Sequence, residues 1–151
     1  MERLVKGLAA GAVGTSLLNT VTYLDMAVRG RPSSSVPSQD VEKLAGAAHI
    51  PLGSDEQTAS ARREGIGALL GFLTGFAGGA AFAAVRAQAP DVPWPLAAAA
   101  TGVAVMIATD LTSTAAGATD PRTWSALDWV SDLVPHLAYG AGVTLAFDAL
   151  D

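Results

Sequence analysis

Long stretches without a charged side chain constrain the fold of this chain more than any other feature. Asp, Glu, Lys and Arg are absent from four runs, at 7–24 (18 residues), 65–85 (21), 92–109 (18) and 133–147 (15). About 20 mostly apolar residues cross a bilayer as a helix, and runs of roughly 18 or more are candidates. The spacing therefore predicts four transmembrane helices, near 5–28, 56–86, 94–117 and 126–149, the last with a polar first turn.

The composition indicates that these helices lie in a membrane rather than in a soluble core. Charged residues make up 15% of the chain, against about 25% in ordinary soluble domains. The 151 residues include 31 Ala and 16 Gly but only 6% aromatics, which leaves few large side chains to fill a core. We therefore expect an all-α, integral membrane four-helix bundle with up-and-down topology. It would form a single transmembrane domain over 1–151 that crosses the membrane several times.

Several function classes are disfavoured by the residues that are missing. Without Cys there are no disulfides, thiolate metal sites or Cys nucleophiles. A net charge of −5 with no basic stripe argues against a nucleic-acid partner. No phosphate-binding loop and no Gly-x-Ser-x-Gly nucleophile turn occurs. We expect no cofactor and no enzymatic activity, while the nature of any metal site stays open.

Local signals mark the helix ends. Gly30 followed by Pro32 is typical of a helix stop, so it predicts the end of the first span. Ser54 opens a capping box before the second span, and Ser125 with Asp128 forms another before the fourth.

The connection at 29–55 is the one long loop. It is expected to begin as an extended linker and then to form a short amphipathic helix capped by Ser38. The apolar face of that helix has helical spacing and consists of Val41, Leu44, Ala45 and Ala48. Its predicted role is to stabilise the loop, to act as a lid over the mouth of the bundle, or to dock a partner.

Glycines recur every four residues on two of the predicted spans. The second span carries Gly67, Gly71, Gly75 and Gly79, and the first carries Gly7 and Gly11. Small residues at this spacing let another helix backbone approach closely, which drives helix association in lipid. Two interpretations remain open: packing within one chain, or an interface in a homo-oligomer or larger membrane complex.

Ionisable side chains within the predicted spans form the candidate site. They are Asp25, Asp110, Asp132 and His136, and Tyr139 continues the polar stripe of the fourth span. An up-and-down path places them in the half of the bilayer nearest the first and third loops. Such residues are costly in lipid and mark function by default. Acids without basic partners must be protonated or neutralised by a cation, so the group is a candidate proton or cation site.

Three functions are compatible with this pattern. The first is a small channel- or transporter-like protein that binds and transports a proton, a cation or a small solute. The second is a structural or accessory subunit that packs through its glycine faces and transports nothing. The third is a membrane enzyme acting on a lipid or quinone. The other half of the predicted spans offers little polarity beyond Thr101 and Thr144, which argues against a continuous pore in one chain.

Three segments resemble a known group of small bacterial membrane proteins. They are the Gly-Leu-Ala-Ala-Gly-Ala-Val-Gly-Thr opening at 7–15, the Arg-Gly-Arg-Pro-Ser-Ser loop at 29–34, and Asp-Leu-Val-Pro-His-Leu-Ala-Tyr-Gly at 132–140. The organisation is similar to the YagU-like (DUF1440-type) families and their actinobacterial relatives. The resemblance implies a multi-helix inner-membrane protein. It carries no catalytic residues, so no residue role transfers.

Overall fold

The computed structural model describes residues 1–150, and this part of the chain contains five α-helices and no strand. They are α1 (Glu2–Arg29), α2 (Val36–Ala47), α3 (Glu56–Gln88), α4 (Trp94–Ala116) and α5 (Ala126–Leu150), with a 3-10 turn at Pro121–Thr123. The helices α1, α3, α4 and α5 are long and apolar enough to cross a membrane, as is typical of membrane proteins. The all-helical prediction is confirmed, and the four long helices lie where the uncharged runs predict them.

The helix ends follow the local signals with small shifts. Gly30 ends α1 in the left-handed region, at φ 65°. The N-cap of α3 is Asp55 and not Ser54, because the Asp55 carboxylate accepts the Thr58 backbone N–H at 2.9 Å. Placing the cap one residue later gives the helix an ionised acceptor at its positive end.

The capping box before α5 is confirmed. The backbone N–H of Ser125 donates to Asp128 at 2.9 Å, and the backbone N–H of Asp128 donates to the Ser125 hydroxyl at 3.2 Å. The prediction that Ser38 caps the short helix is wrong. That helix begins at Val36, with Pro37 in its first turn, where proline is well suited because the missing N–H is not needed.

Three extensive antiparallel contacts define the order of the bundle. The first helix packs against both α3 and α5, and α5 packs in turn against α4. Although α3 and α4 are neighbours in sequence, they barely touch. The short helix α2 lies on α3 and also reaches α4. We call the end of the bundle that carries α2 and the α4–α5 connection the loop side.

The interior of the bundle is narrow, and most large apolar side chains point outward. The buried core contains Ala10, Phe82, Tyr139, Val143 and Phe147. The rings of Phe82 and Phe147 meet edge to face at 5.4 Å. The exposed leucines and isoleucines lie on the outer faces of all four long helices. A soluble protein would bury such side chains, whereas a bundle in lipid keeps them outside and packs through its small residues.

Candidate functional site

Asp132 and His136 meet one turn apart on α5. The imidazole Nδ1 lies 2.8 Å from the backbone oxygen of Asp132 and 3.4 Å from its carboxylate Oδ1. A backbone oxygen can only accept, so Nδ1 carries a proton and Nε2 is left to accept or bind a second one. Both side chains are largely buried, with exposed fractions of 12% for His136 and 25% for Asp132.

Asp110 reaches this pair from α4. Its carboxyl group is close enough to the Asp132 carboxyl and to His136 for direct electrostatic interaction with both. Within residues 1–150, the Asp132 Oδ2 atom is buried and has no hydrogen-bond partner. Two ionised carboxylates have no proton to share, so a proton or cation between them would satisfy both. We refer to Asp110, Asp132 and His136 as the acid–imidazole cluster.

A fourth acid, which the sequence did not single out, covers the same region from α2. The hydroxyl of Ser113, one turn beyond Asp110 on α4, donates to Asp40 Oδ2 at 2.6 Å. The other carboxylate oxygen of Asp40 is buried without a partner within the described residues. Asp40 directly precedes the buried Val41. An acid at the edge of the apolar face of α2 was therefore the sequence feature that could have pointed to Asp40 as a site residue.

Asp25 does not join the cluster. Arg29 binds both of its carboxylate oxygens, at 2.6 and 2.5 Å, and Arg31 Nε donates to it at 2.5 Å. The Arg29 guanidinium also donates to the Ser131 hydroxyl on α5 at 2.5 Å. The structure therefore places Asp25 in an ion-pair network that ties the end of α1 to the start of α5.

Tyr139 lies on the predicted stripe, but it points into the packed core. Its side chain is 1% exposed, and its hydroxyl donates to the backbone oxygen of Gly75 on α3 at 2.6 Å. This hydrogen bond connects two helices that otherwise make little contact. The position of Tyr139 in the structure is that of a packing residue.

Four of the glycines predicted to pack face one another between α1 and α3. A Cβ built on Gly7 would lie 2.7 Å from the Ala83 Cβ, and one built on Gly79 would lie 2.6 Å from the Gly11 Cα. The Cβ of a residue at Gly75 would overlap Thr15 Oγ1. These contacts lie within one chain. A side chain at Gly7, Gly11 or Gly79 would require a backbone shift, and one at Gly75 would displace the Thr15 hydroxyl.

The other two predicted glycines do not belong to this contact. Gly67 is buried against the short helix, where a Cβ would lie 3.0 Å from the Pro37 oxygen. Gly71 is exposed, with nothing within 4 Å of its Cβ position, so it makes no close contact within the chain, and its place in an interface between chains stays a prediction. Gly67 contacts α2 and Gly75 contacts α1, and Gly71 lies between these two contacts.

Glycines that the spacing did not single out make the remaining close contacts. Gly14 of α1 meets Gly142 of α5, where an added Cβ would lie 3.0 Å from the Gly14 Cα. Gly102 of α4 meets Gly140 of α5, with 2.6 Å between the Gly102 nitrogen and the Cβ position at Gly140. This second contact lies eight residues, or roughly 12 Å, along α4 from Asp110. It brings the α4 and α5 backbones together on the side of the cluster away from α2.

The chemistry of the acid–imidazole cluster is that of groups that share protons. Within residues 1–150, no three His, Asp or Glu side chains converge in a way that could hold a metal ion. The cluster does combine two facing carboxyl groups with an imidazole, and these groups share protons at short range.

Comparison with known proteins found no family model, no curated protein and no solved structure that matches this chain.

Proposed function

We propose that this chain is a small multi-pass protein of a bacterial plasma membrane that binds a proton or a small cation at the acid–imidazole cluster and takes part in its transport. The observation that carries the proposal is the convergence of Asp110 of α4 on Asp132 and His136 of α5. Two carboxyl groups close together in a medium of low dielectric cannot both stay ionised on their own, so either one of them holds a proton or the pair binds a cation. The buried, unpartnered Asp132 Oδ2 supports this requirement.

The direction of access follows from the packing around the cluster. Asp40 and Ser113 lie on the loop side, where polar groups continue outward from Asp110. On the opposite side, the Gly102–Gly140 contact and the Phe82–Phe147 ring pair close the bundle. A bound proton or cation would therefore enter from the loop side. Its passage to the other side would require α4 and α5 to separate near Gly102.

An accessory role is the second candidate. The tight packing of the half of the bundle opposite the loop side favours it. Glycine contacts join α1 to α3, α1 to α5 and α4 to α5 with almost no intervening side chains. A rigid bundle of this kind would suit a structural subunit of a membrane complex. In that case the cluster would only hold α4 and α5 in register.

Titration of the two histidines distinguishes these candidates. The chain contains only His49 and His136, so imidazole NMR signals of the protein in nanodiscs can be assigned to one or the other. If the cluster is one coupled site, Asp110→Asn should shift the midpoint of the His136 titration. His49 is exposed after the end of α2 and serves as an internal control. An unchanged His136 midpoint would favour the accessory role.

Transport is measured separately, in vesicles loaded with a pH-sensitive dye and driven by a potassium diffusion potential. Wild-type protein should acidify or alkalise the lumen faster than protein-free vesicles, and Asp110→Asn should abolish the difference. Asp120→Asn, on the exposed turn between α4 and α5, removes the same charge outside the cluster and should leave the flux unchanged. If Asp110→Asn shifts the His136 titration but wild-type protein produces no proton flux, proton binding at the cluster stands and transport by the single chain is refuted.

A further inference from the structure

An apolar groove of about 420 Å³ lies between α2 and the first half of α3. Its walls include Leu44 and Ala48 of α2, Ile50 and Leu52 of the following loop, and Ile66 and Leu70 of α3. Leu44 and Ile50 are 56% and 60% exposed, so no part of residues 1–150 covers them. The volume is in the range of sites that hold small apolar ligands.

The groove lies at the depth where a membrane changes from headgroups to acyl chains. The last charged residues of α3 before its uncharged run are Arg62, Arg63 and Glu64. Ile66 and Leu70 follow within the next two turns, on the apolar part of the helix. One end of the groove therefore meets the polar interface and the other meets the hydrocarbon.

An arginine is fixed at the polar end. Arg62 Nη1 donates to the backbone oxygen of Leu52, a groove residue, at 2.9 Å. Within residues 1–150, Arg62 forms no ion pair, whereas its neighbour Arg63 is paired with Glu56. A guanidinium has five N–H donors in a fork that fits phosphate, and this contact uses one of them.

We propose that this groove binds an anionic phospholipid, with one acyl chain along the apolar walls and the headgroup phosphate on Arg62. The apolar walls of the groove match the acyl chain of such a lipid, and the guanidinium of Arg62 at its polar end matches the phosphate. A zwitterionic lipid is a poorer match, because its own cation competes for the phosphate. The proposal concerns a surface separate from the acid–imidazole cluster and does not depend on it.

The test compares two lipids that differ only in the headgroup. Protein stripped of lipid in a neutral detergent receives dioleoyl phosphatidylglycerol or dioleoyl phosphatidylcholine, and the thermal midpoint is followed by far-UV circular dichroism. A ligand that binds only the folded state raises this midpoint. For wild-type protein, phosphatidylglycerol should raise it on the order of 3 °C more than phosphatidylcholine does. Native mass spectrometry should show one retained phosphatidylglycerol.

Variants separate a built site from general attraction to an anionic surface. Arg62→Gln should remove the advantage of phosphatidylglycerol. Arg122→Gln loses the same charge on the same side of the bundle, where Arg122 is paired with Asp120, and it should keep the advantage. Ala45→Phe places a ring in the groove, so it should reduce retention of phosphatidylglycerol while helical content stays unchanged.

Three results would overturn the proposal. The first is equal stabilisation by the two lipids. The second is an equal loss in Arg62→Gln and Arg122→Gln, which would reduce the effect to net charge. The third is a stable dimer of the lipid-free protein that Ala45→Phe dissociates, which would show that a second copy of the chain occupies the groove.

Discussion

Replacing Gly75 with alanine tests whether backbone contact between α1 and α3 holds the bundle together. A Cβ at this position would overlap Thr15 Oγ1. Thr15 is only 5% exposed, and its hydroxyl already donates to the Gly11 oxygen at 2.9 Å, so it cannot turn away without losing that hydrogen bond. Either Thr15 rotates and loses this hydrogen bond, or the two helices move apart.

The expected cost has two parts. Overpacking of a well-packed interior costs about 1–3 kcal/mol. Moving α3 also strains the hydrogen bond from the Tyr139 hydroxyl to the Gly75 oxygen, and a buried hydrogen bond contributes about 1 kcal/mol. We expect Gly75→Ala to lower the free energy of unfolding by about 2–4 kcal/mol, from these two contributions together.

The matched control is Gly71→Ala, the same substitution one turn earlier on the same helix. Nothing lies within 4 Å of its Cβ position, so we expect no loss of stability and a gain of up to about 1 kcal/mol, because alanine has the higher helix propensity. Ala83 would be a poor control, because it is 1% exposed and lies against Gly7.

Unfolding is followed by circular dichroism as sodium dodecyl sulfate is titrated into detergent micelles. A cycle with Tyr139→Phe should show that the tyrosine hydroxyl contributes less once Gly75 has been replaced. Equal stability of Gly75→Ala and Gly71→Ala would refute the assignment of the α1–α3 contact.

Two further predictions concern the start of α3 and the topology. Hydrogen bonds from the Thr58 backbone N–H and hydroxyl hold the pKa of Asp55 below its usual range, so this cap stabilises α3 above about pH 4 and less as the pH falls through the lowered value. Asp55→Ala should therefore be less stable than wild type at pH 7 in the same unfolding assay, and the two should converge in acid; a difference that persists in acid would contradict a charged cap. The chain has no cysteine, so single cysteines can be placed at Ser34, Thr123 and Gln88. An impermeant maleimide should label the first two from one side of the membrane and the third from the other side. Labelling at positions 34 and 123 from opposite sides would refute the four-span topology.

The positions of the helices could be predicted from the sequence because they depend on one-dimensional properties. A gap between charges sets the length that can lie in lipid, and caps such as Ser125 with Asp128 are local hydrogen bonds. The partners of each helix depend on three-dimensional register, which spacing alone does not give. Gly71 and Gly75 have the same sequence signal, yet α1 covers only the second of them.

The two candidate acids Asp25 and Asp110 show the same limit in the site. Both were expected in the same half of the bundle, and they differ only in which residues surround them in space. Arg29 follows Asp25 by four residues, so this pairing on one helix face was visible in the sequence. The contact of Asp110 with Asp132 joins residues 22 positions apart on different helices, and it depends on the α4–α5 crossing at Gly102 and Gly140.

This difference in neighbours is also why the cluster, and not Asp25, carries the functional proposal. The negative charge of Asp25 is neutralised by two arginines of the same chain, so that network is complete without a ligand. The charged groups that act on Asp110 are another carboxyl group and an imidazole. Neutrality there depends on how many protons or cations the cluster holds, and that number can change with conditions outside the protein. A structural pair needs a fixed charge balance, whereas a site that exchanges protons or cations needs a variable one.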